Sequence, residues 1–272
     1  MTAAPVLVAS AARRLGGDRQ LIDFPRRDDG HLKSWWRYLN VRGEALFELG
    51  TSCGTCQFWF QRLEPDARPL DIDALRGRLA DGLEALDEEV VESFGRILPE
   101  GDYRVALLRF TPERIHAGGA ADYFHNEQTA DWRYLDRDDP IDPATDYYRR
   151  AGRPQIAVGG DLGFDFYVPM QRPDSLDEAR IAFFGERLAG GAAPTAVAVG
   201  LLDVKQHYKS KVGHWCLGHF LLDGHHKVEA AARAGRPVTL LSFISCAAGH
   251  SVPEAADRML AAAYARETEP TA

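Results

Sequence analysis

The run Asp223-Gly224-His225-His226-Lys227 contains the side chains best suited to bind a phosphate group. An apolar segment precedes the run and an alanine-rich segment follows it, which predicts a turn between a strand and a helix. The first N–H groups of a helix lie at the positive end of its dipole and bind anions. Gly224 lets the backbone approach a phosphate, and His225, His226 and Lys227 add donors. The pattern therefore predicts a phosphate site.

Two carboxylates near this turn are candidates to hold Mg²⁺, which nucleotide chemistry usually needs. Asp203 lies at the end of the predicted strand 195–204, and Asp223 is the first residue of the turn. Lys205 shares the strand face of Asp203 and is a further candidate to bind phosphate. Ligands collect at the carboxyl ends of strands, where all three residues lie if the strands run parallel. His225 or His226 is then the predicted hydrogen-bond donor or general acid/base near neutral pH.

A structural interpretation of the turn is also open. In that interpretation, Asp223 caps the helix and the two histidines bond the backbone. The complete order of strand, turn, helix and strand favours the phosphate site over this alternative.

Residues 195–245 follow the order strand, Asp-Gly-His-His-Lys turn, alanine-rich helix, Gly-x-Pro and strand. This order predicts a βαβ unit and resembles the ParB/sulfiredoxin superfamily, which includes ParB-type CTPases, sulfiredoxin and free-serine kinases. Members of that superfamily place a Gly-x-x-Arg-like turn on nucleotide phosphates. The resemblance, which covers roughly a fifth of the chain, implies the same role for Gly224, His225, His226 and Lys227.

The chain departs from that superfamily in three ways. Lys227 stands where arginine is usual, and His225 stands where sulfiredoxin has its reactive cysteine, so sulfinic-acid reduction is not expected. The net charge is −8, from 40 acidic and 32 basic side chains. Nucleic-acid binders need the opposite balance to displace counterions from phosphates. We therefore expect no nucleic-acid partner.

The four cysteines suggest a second site. Cys53 and Cys56 form a Cys-Gly-Thr-Cys sequence, whose tight turn is typical of a zinc knuckle. Cys216 and His219 have the right spacing to complete a structural Zn²⁺ site, although a strand would point them to opposite faces. The competing pairs are Cys216 with His214 and Cys246 with His250.

Cys53 and Cys56 have two further interpretations. A strand, the cysteine pair and an aromatic segment resemble a small thioredoxin-type active site, in which a helix N-terminus lowers a thiol pKa. The other interpretation is a pair of small buried thiols without chemistry. Zinc binding is the favoured interpretation of a Cys-x-x-Cys pair in a cytosolic protein.

The elements that position these residues are clearest in the second half. A Ser175-x-x-Glu178 capping box opens a helix that ends at Gly190-Gly191, and Gly235 ends the helix that follows the turn. A last helix begins after Ser251. Continuous apolar segments predict three buried strands, at 195–204, 214–222 and 238–244.

The first half is less regular. Apolar residues three and four positions apart predict one helix between residues 75 and 94, in which Gly77, Gly82 and Gly95 leave a break open. Residues 44–49 and 103–110 predict strands. The first 35 residues predict an extended lead-in, and residues 117–154 predict a long solvated loop.

These elements predict an α/β or α+β fold, with a mixed sheet and flanking helices. We assign residues 1–100 to an N-terminal region with the cysteine knuckle and an amphipathic helix. Residues 101–272 form the predicted nucleotide-binding region, and both regions together also suit one compact domain. The longest apolar runs are too short for a membrane span. Arginines follow the apolar stretch at residues 5–9, the wrong order for a secretory signal, so we expect a cytoplasmic protein.

The leading functional hypothesis is a nucleotide-dependent phosphotransferase, such as a kinase, or a nucleotide hydrolase acting on a small molecule. Its cofactors would be ATP or another nucleotide, with Mg²⁺ and a structural Zn²⁺. The first alternative is a non-catalytic, zinc-stabilised protein that binds a nucleotide or metabolite. The second is a thiol oxidoreductase built on Cys53 and Cys56. A homo-oligomer is compatible with all three.

Overall fold

The structure, a computed structural model, describes residues 4–26, 37–50, 58–63, 73–128, 145–152, 155–206 and 211–266. Its strands are β1 (Val6–Leu15), β2 (Ile22–Asp23), β3 (Arg37–Val41), β4 (Glu44–Gly50), β5 (Trp59–Arg62), β6 (Gly101–Phe110), β7 (Pro112–Ile115), β8 (Tyr147–Arg150), β9 (Ile156–Val158), β10 (Asp161–Pro169), β11 (Thr195–Lys205), β12 (His214–Asp223), β13 (Val238–Ser245) and β14 (Ala265–Arg266). Its α-helices are α1 (Arg76–Asp81), α2 (Glu88–Gly95), α3 (Glu178–Ala189), α4 (His225–Ala234) and α5 (Pro253–Ala263).

The described strands form two sheets. The large sheet has the order β14-β1-β6-β13-β11-β12-β10-β8-β7, with β9 paired to β10, and the small sheet has the order β2-β3-β4-β5. In the large sheet, β14 is parallel to β1, β13 to β11, and β12 to β10. The other neighbours are antiparallel. The fold is α+β, and the predicted mixed sheet with flanking helices is confirmed.

Alternating side chains of the central strands fill a hydrophobic layer on each face of the large sheet. On β11, Val197 and Val199 face a layer that also contains α1, α2 and the small sheet. Ala198, between them, faces the layer built with α3, α4 and α5. β13 is buried along its whole length, because both of its faces are covered. The apolar run 238–244 predicted this strand correctly.

Strand direction around the predicted turn differs from the expectation. β12, α4 and β13 follow one another as predicted, and Gly235 ends α4 with φ of 58°. However, β11 lies between β12 and β13, antiparallel to β12 and parallel to β13. β12 and β13 are therefore antiparallel to each other, so the predicted βαβ unit, whose two strands are parallel, is wrong.

The first residues form a strand instead of an extended lead-in. β1 pairs with β6 over nine positions and with β14 at its start. It therefore crosses the boundary predicted at residue 100, because the large sheet otherwise consists of residues 101–266. Its apolar alternation is weak since Ala9 and Ala11 occupy half-buried positions.

The helix predicted over residues 75–94 is two helices, α1 and α2. Gly82 follows α1 with φ of 101°, and a Cβ there would collide with the carbonyl of Ala193. Asp87 then caps α2 by accepting the N–H of Val90 at 3.1 Å. The break that the glycines left open therefore occurs at Gly82, and the apolar spacing continues across it because side chains on both sides face the same core layer.

β8 lies inside the segment predicted to be a solvated loop. All four of its residues are buried, and it pairs with β7 and β10. Arg149 and Arg150 supply half of this strand, so its sequence does not resemble a buried one. Residues 129–144 of the predicted loop lie outside the described residues. Among the helices that the structure describes, none is both long and apolar enough to cross a membrane.

Candidate functional site

Gly224 holds the turn between β12 and α4 in one conformation. It is the N-cap of α4, with φ of 88° and ψ of 20°, a left-handed conformation that favours glycine. A Cβ at this position would lie 2.6 Å from the Cβ of Ala196, so the space is closed to larger residues. α4 begins at His225, and its first N–H groups therefore belong to the predicted turn. The predicted helix start is confirmed.

Both histidines of the turn hold neighbouring loops in place. The Nε2 of His225 accepts the N–H of Met170, just beyond β10, at 3.1 Å. The Nε2 of His226 accepts the N–H of Asp177 at 3.1 Å. An imidazole that accepts at Nε2 is neutral and carries its proton on Nδ1. Burial, helped by the nearby Arg180 charge, also lowers the pKa of His226. Each ring positions a loop, and a general acid/base role stays a prediction.

Lys227 is buried beneath the turn. Its Nζ donates to the Thr195 carbonyl at 2.8 Å and to the Asp223 carboxylate at 3.0 Å. The ammonium also lies 5.7 Å from the centroid of the Phe184 ring. Burial lowers the pKa of Lys227, although Asp223 acts in the opposite direction. Lys227 therefore joins the start of β11 to the end of β12, and its charge is already paired.

Asp223 does not cap α4. The N-cap is Gly224, and no side-chain hydrogen bond caps the helix. Asp223 instead pairs with Lys227 through Oδ2, while its other carboxylate oxygen has no partner among the described residues. The structural alternative is therefore wrong in its first part, the Asp223 cap, whereas both histidines bond the backbone as it states. The magnesium role of Asp223 stays a prediction.

A cavity of about 450 Å³ lies in front of the turn, and we call it the α4 cavity. Residues 223–227 form one wall. Ile22 and Val41 of the small sheet form another, and α1 and α3 supply the remainder. The volume lies within the range of pockets that bind small molecules. The structure thus brings the predicted turn to a cavity with walls from both halves of the chain.

Two arginines that line the α4 cavity were not predicted from the sequence. Arg76 opens α1, and Arg180 lies in the first turn of α3, which Asp177 caps in place of the predicted Ser175. Arg180 is exposed, and within the described ranges its guanidinium has no hydrogen-bond or ion-pair partner. A cation in the first turn opposes the helix dipole. That unfavourable placement is the sequence signal that could have identified Arg180.

Asp203 and Lys205 lie at the opposite end of β11 from the turn. Asp203 pairs in register with Cys216, whereas Asp223 pairs with Val197. The strand between Cys216 and Asp223 spans about 23 Å, at about 3.3 Å per residue. The expectation that Asp203, Lys205 and Asp223 share one edge required parallel strands, and it is wrong. Asp203 and Lys205 therefore cannot bind the same phosphates as the turn.

Asp203 is instead the centre of a buried ion pair. Its Oδ2 lies 2.5 Å from Arg37 Nη2 and 3.9 Å from Lys205 Nζ, and its Oδ1 accepts the N–H of His250 at 2.7 Å. Burial acts to raise the pKa of Asp203, but the two cations outweigh it and hold that pKa well below its usual range. Burial lowers the pKa of Lys205 to about 8. This carboxylate is paired and closed to solvent, so it does not suit Mg²⁺.

The predicted zinc ligands do not all converge. Cys53 and Cys56 lie outside the described residues. Cys216 faces the core layer that contains the small sheet, whereas His219 faces the opposite side of β12 and bonds the Oγ of Ser242 at 2.7 Å. One ion cannot bind both, so the predicted set of four ligands is wrong. Burial lowers the pKa of His219 to about 4.

Cys216 shares its strand face with His214, and the Tyr123 hydroxyl contacts both side chains. The hydroxyl lies 2.7 Å from His214 Nδ1 and 3.5 Å from Cys216 Sγ. Burial raises the pKa of Cys216 to about 12, so the thiol is protonated at neutral pH. The described residues contain no group of three or more side chains that could hold a metal. Zinc binding and redox chemistry at Cys53 and Cys56 both stay predictions.

Comparisons of the chain with protein-family models, curated proteins and solved structures found no match. The resemblance of residues 195–245 to the ParB/sulfiredoxin superfamily therefore stays a prediction from sequence.

Proposed function

We propose that the α4 cavity binds the phosphate groups of a nucleotide such as ATP. The observation that carries this proposal is the position of Arg180, an exposed guanidinium without an ion-pair partner among the described residues, on the cavity that contains the N-terminus of α4. A phosphate between them would accept hydrogen bonds from the first N–H groups of the helix and from the guanidinium.

The charges around the cavity support an anionic ligand. Asp223 pairs with Lys227 and leaves Arg180 without an acidic partner in the described ranges. Burial and then the Arg180 charge lower the pKa of His226, and they outweigh the Asp177 and Asp223 carboxylates, which raise it. Positive potential in a partly enclosed cleft attracts anions. A phosphate would supply the counter-charge that Arg180 lacks.

Mg²⁺ fits this site as a companion of the nucleotide phosphates. Asp223 offers one carboxylate oxygen at the cavity wall, whereas the Asp177 carboxylate accepts the N–H groups that begin α3. Mg²⁺ is usually held by one or two carboxylates together with substrate phosphates. Asp223 would therefore hold the ion, and the bound ion would neutralise negative charge on the phosphates.

Phosphoryl transfer or nucleotide hydrolysis is a second, more specific candidate, and Asp223 favours it. Asp223 lines the same cavity as the start of α4, where its carboxylate would orient an attacking hydroxyl or water. A non-catalytic nucleotide-binding protein would use the same cavity without turnover. Measuring binding and turnover separately distinguishes these functions.

Titration calorimetry with ATP, CTP and GTP, with and without Mg²⁺, tests the binding proposal. We expect Arg180→Ala to weaken the nucleotide that binds by about tenfold or more, because a hydrogen bond to a charged group contributes about 1.5–3 kcal/mol. Arg236→Ala is the matched control, since Arg236 is exposed just beyond α4 and does not line the cavity. No binding by wild type, or equal losses in both variants, would contradict the proposal.

Asp223→Asn tests the catalytic candidate. The amide oxygen can still accept from Lys227, but the buried ammonium loses its counter-charge, so we expect a lower melting temperature and compare turnover where both proteins are folded. An amide is a poor magnesium ligand, so turnover that depends on Mg²⁺ should fall about a hundredfold if several kcal/mol of charge stabilisation is lost. Wild-type turnover that Asp223→Asn leaves intact would contradict this role. Binding without any wild-type turnover would support the non-catalytic alternative.

A further inference from the structure

An aromatic ring on the rim of the α4 cavity is left largely uncovered. Phe183 is 51% exposed and lines the cavity. The other exposed large hydrophobic side chains among the described residues, Leu63 and Val252, do not line it. Burying such a ring is normally favourable, so the rim of the cavity offers an unused apolar surface to a ligand.

Neighbouring groups hold the Phe183 ring and leave about half of the residue exposed. Phe184 packs against it edge to face, with 5.1 Å between the ring centroids. The Arg187 guanidinium lies 5.8 Å from the Phe183 centroid, and a 2.5 Å ion pair with Asp81 of α1 fixes that guanidinium. A ring held in place before binding loses little conformational freedom when a ligand stacks on it.

Phe183 and Arg180 lie three residues apart on α3, so they share one face of the helix and are separated by about 4.5 Å along its axis. Both line the α4 cavity. The helix thus presents a cation and an aromatic face side by side. A ligand that uses both must carry an anionic group and a flat apolar or heteroaromatic group close together.

We infer that Phe183 is the surface on which the base of the nucleotide stacks. The preferred ligand is then a nucleoside phosphate, which binds more tightly than a simple phosphate ester or polyphosphate. This inference rests on the proposed function, because it takes the phosphates to lie at Arg180 and the N-terminus of α4. Stacking on one aromatic ring tolerates every base, since each has a π face. The base contact therefore adds affinity without selecting strictly among nucleotides.

Calorimetry with two probes, ATP and inorganic tripolyphosphate, tests the inference on the full chain. We expect wild type to bind ATP more tightly than tripolyphosphate. Phe183→Ala should weaken ATP binding about tenfold, which corresponds to about 1.4 kcal/mol, and leave tripolyphosphate binding unchanged. Phe183→Tyr keeps the ring and should bind ATP like wild type. Arg180→Ala should weaken both probes.

A spectroscopic measurement checks the contact directly. ATP should quench the fluorescence of the indole introduced by Phe183→Trp, and tripolyphosphate should not. The wild-type response to each probe is subtracted. Thermal melts show whether each variant is folded. We expect all of them to fold, because a substitution at a half-exposed position usually costs little stability.

The outcomes separate the two proposals. Equal binding of ATP and tripolyphosphate by wild type, or an Ala variant with full ATP affinity, overturns the stacking role and leaves the phosphate site standing. Equal loss of both probes in Phe183→Ala also overturns it, because the ring then supports the cavity as a whole. A changed association state with unchanged ATP affinity would assign the ring to a protein contact instead. Failure of wild type to bind either probe overturns both proposals.

Discussion

Lys227 illustrates how burial changes the role of a residue in the predicted turn. Its ammonium satisfies the Thr195 carbonyl and the Asp223 carboxylate, both at the edge of the large sheet where α4 begins. A free lysine beside a phosphate could be replaced with little loss of stability. A buried lysine cannot, because its two partners would be left without a donor.

We therefore expect Lys227→Met to lower the free energy of unfolding by about 1–3 kcal/mol, the usual cost of an unsatisfied buried polar group. Urea denaturation measures this change. Arg180→Ala is the control, because an exposed arginine without partners should change stability by less than about 0.5 kcal/mol. If Lys227→Met unfolds like wild type and loses only ligand affinity, Lys227 is a phosphate ligand after all.

His219 predicts a specific dependence of stability on pH. Burial lowers its pKa in the folded protein from 6.5 to about 4. Between these values the unfolded chain binds a proton that the folded chain does not. The free energy of unfolding should therefore fall as the pH decreases from 6.5 to 4, with a slope approaching about 1.4 kcal/mol per pH unit from this one group.

His219→Gln provides the comparison, because the amide can still bond the Ser242 hydroxyl but does not titrate. The variant should be less stable than wild type near pH 7 and should show a shallower loss of stability between pH 6.5 and 4. Urea midpoints measured across this range determine both slopes. Identical slopes would mean that His219 is not the group that titrates.

At the scale of elements, Gly224 sets the geometry between β12 and α4. A Cβ at this position meets both a left-handed φ and the Ala196 side chain at 2.6 Å. Gly235, at the other end of α4, also has a positive φ, but nothing lies within 4 Å of a Cβ built there. The two glycines therefore separate the cost of conformation from the cost of the clash.

We expect Gly235→Ala to cost about 1 kcal/mol of folding free energy from the left-handed conformation alone. Gly224→Ala should cost at least about 1 kcal/mol more, the lower end for overpacking of a core, and should also weaken nucleotide binding because α4 must shift. Chemical denaturation and calorimetry of both variants measure these effects. Equal costs would show that Ala196 can move aside.

The elements of the C-terminal half could be predicted because each carries a strong local signal. Residues 238–244 are continuously apolar, and Gly235 and Pro237 mark the end of the preceding helix. The direction of β11 relative to β12 carries no such signal, since a buried strand is apolar in either orientation. Because this direction could not be predicted, Asp203 and Lys205 were predicted at the wrong end of the sheet.

The candidate site was predictable only where its residues are consecutive. Residues 223–227 form a compact motif, and they do line the α4 cavity. Arg180 and Phe183 reach the same cavity from another helix, and Ile22 reaches it from the small sheet. Their proximity depends on how α3, α4 and the small sheet pack, which local spacing does not encode.

At the scale of the whole molecule, the small sheet completes both the core and the cavity. Its buried residues belong to one continuous hydrophobic layer with β11 and β12 of the large sheet. Ile22 and Val41 of the small sheet line the α4 cavity together with the turn. The binding site therefore depends on how the small sheet docks on the large sheet.

The buried pair of Arg37 and Asp203 joins the two sheets at the end of β11 remote from the turn. Arg37 opens β3 of the small sheet, donates to the Ala248 carbonyl at 2.5 Å, and forms two hydrogen bonds with Asp203. Lys205 lies 3.9 Å from the same carboxylate. Asp203 thus provides the negative charge for two buried cations, whereas Arg37 is only one of two cations for Asp203.

This asymmetry predicts that substitutions of Asp203 and Arg37 lower the free energy of unfolding by different amounts. Removing one partner of a buried ion pair typically costs about 3–5 kcal/mol, because the other charge remains buried. We expect Asp203→Asn to cost more than Arg37→Met, since Asp203→Asn deprives Arg37 and Lys205 of their shared counter-charge, whereas Arg37→Met leaves Asp203 beside Lys205. The double variant should cost less than the sum of the single variants. Urea unfolding of the four proteins gives these energies.

Because the pair fixes the docking of the small sheet, Arg37→Met should also weaken nucleotide binding at the α4 cavity, although it removes no residue that lines it. Additive costs and unchanged nucleotide affinity would mean that hydrophobic packing alone holds the two sheets together.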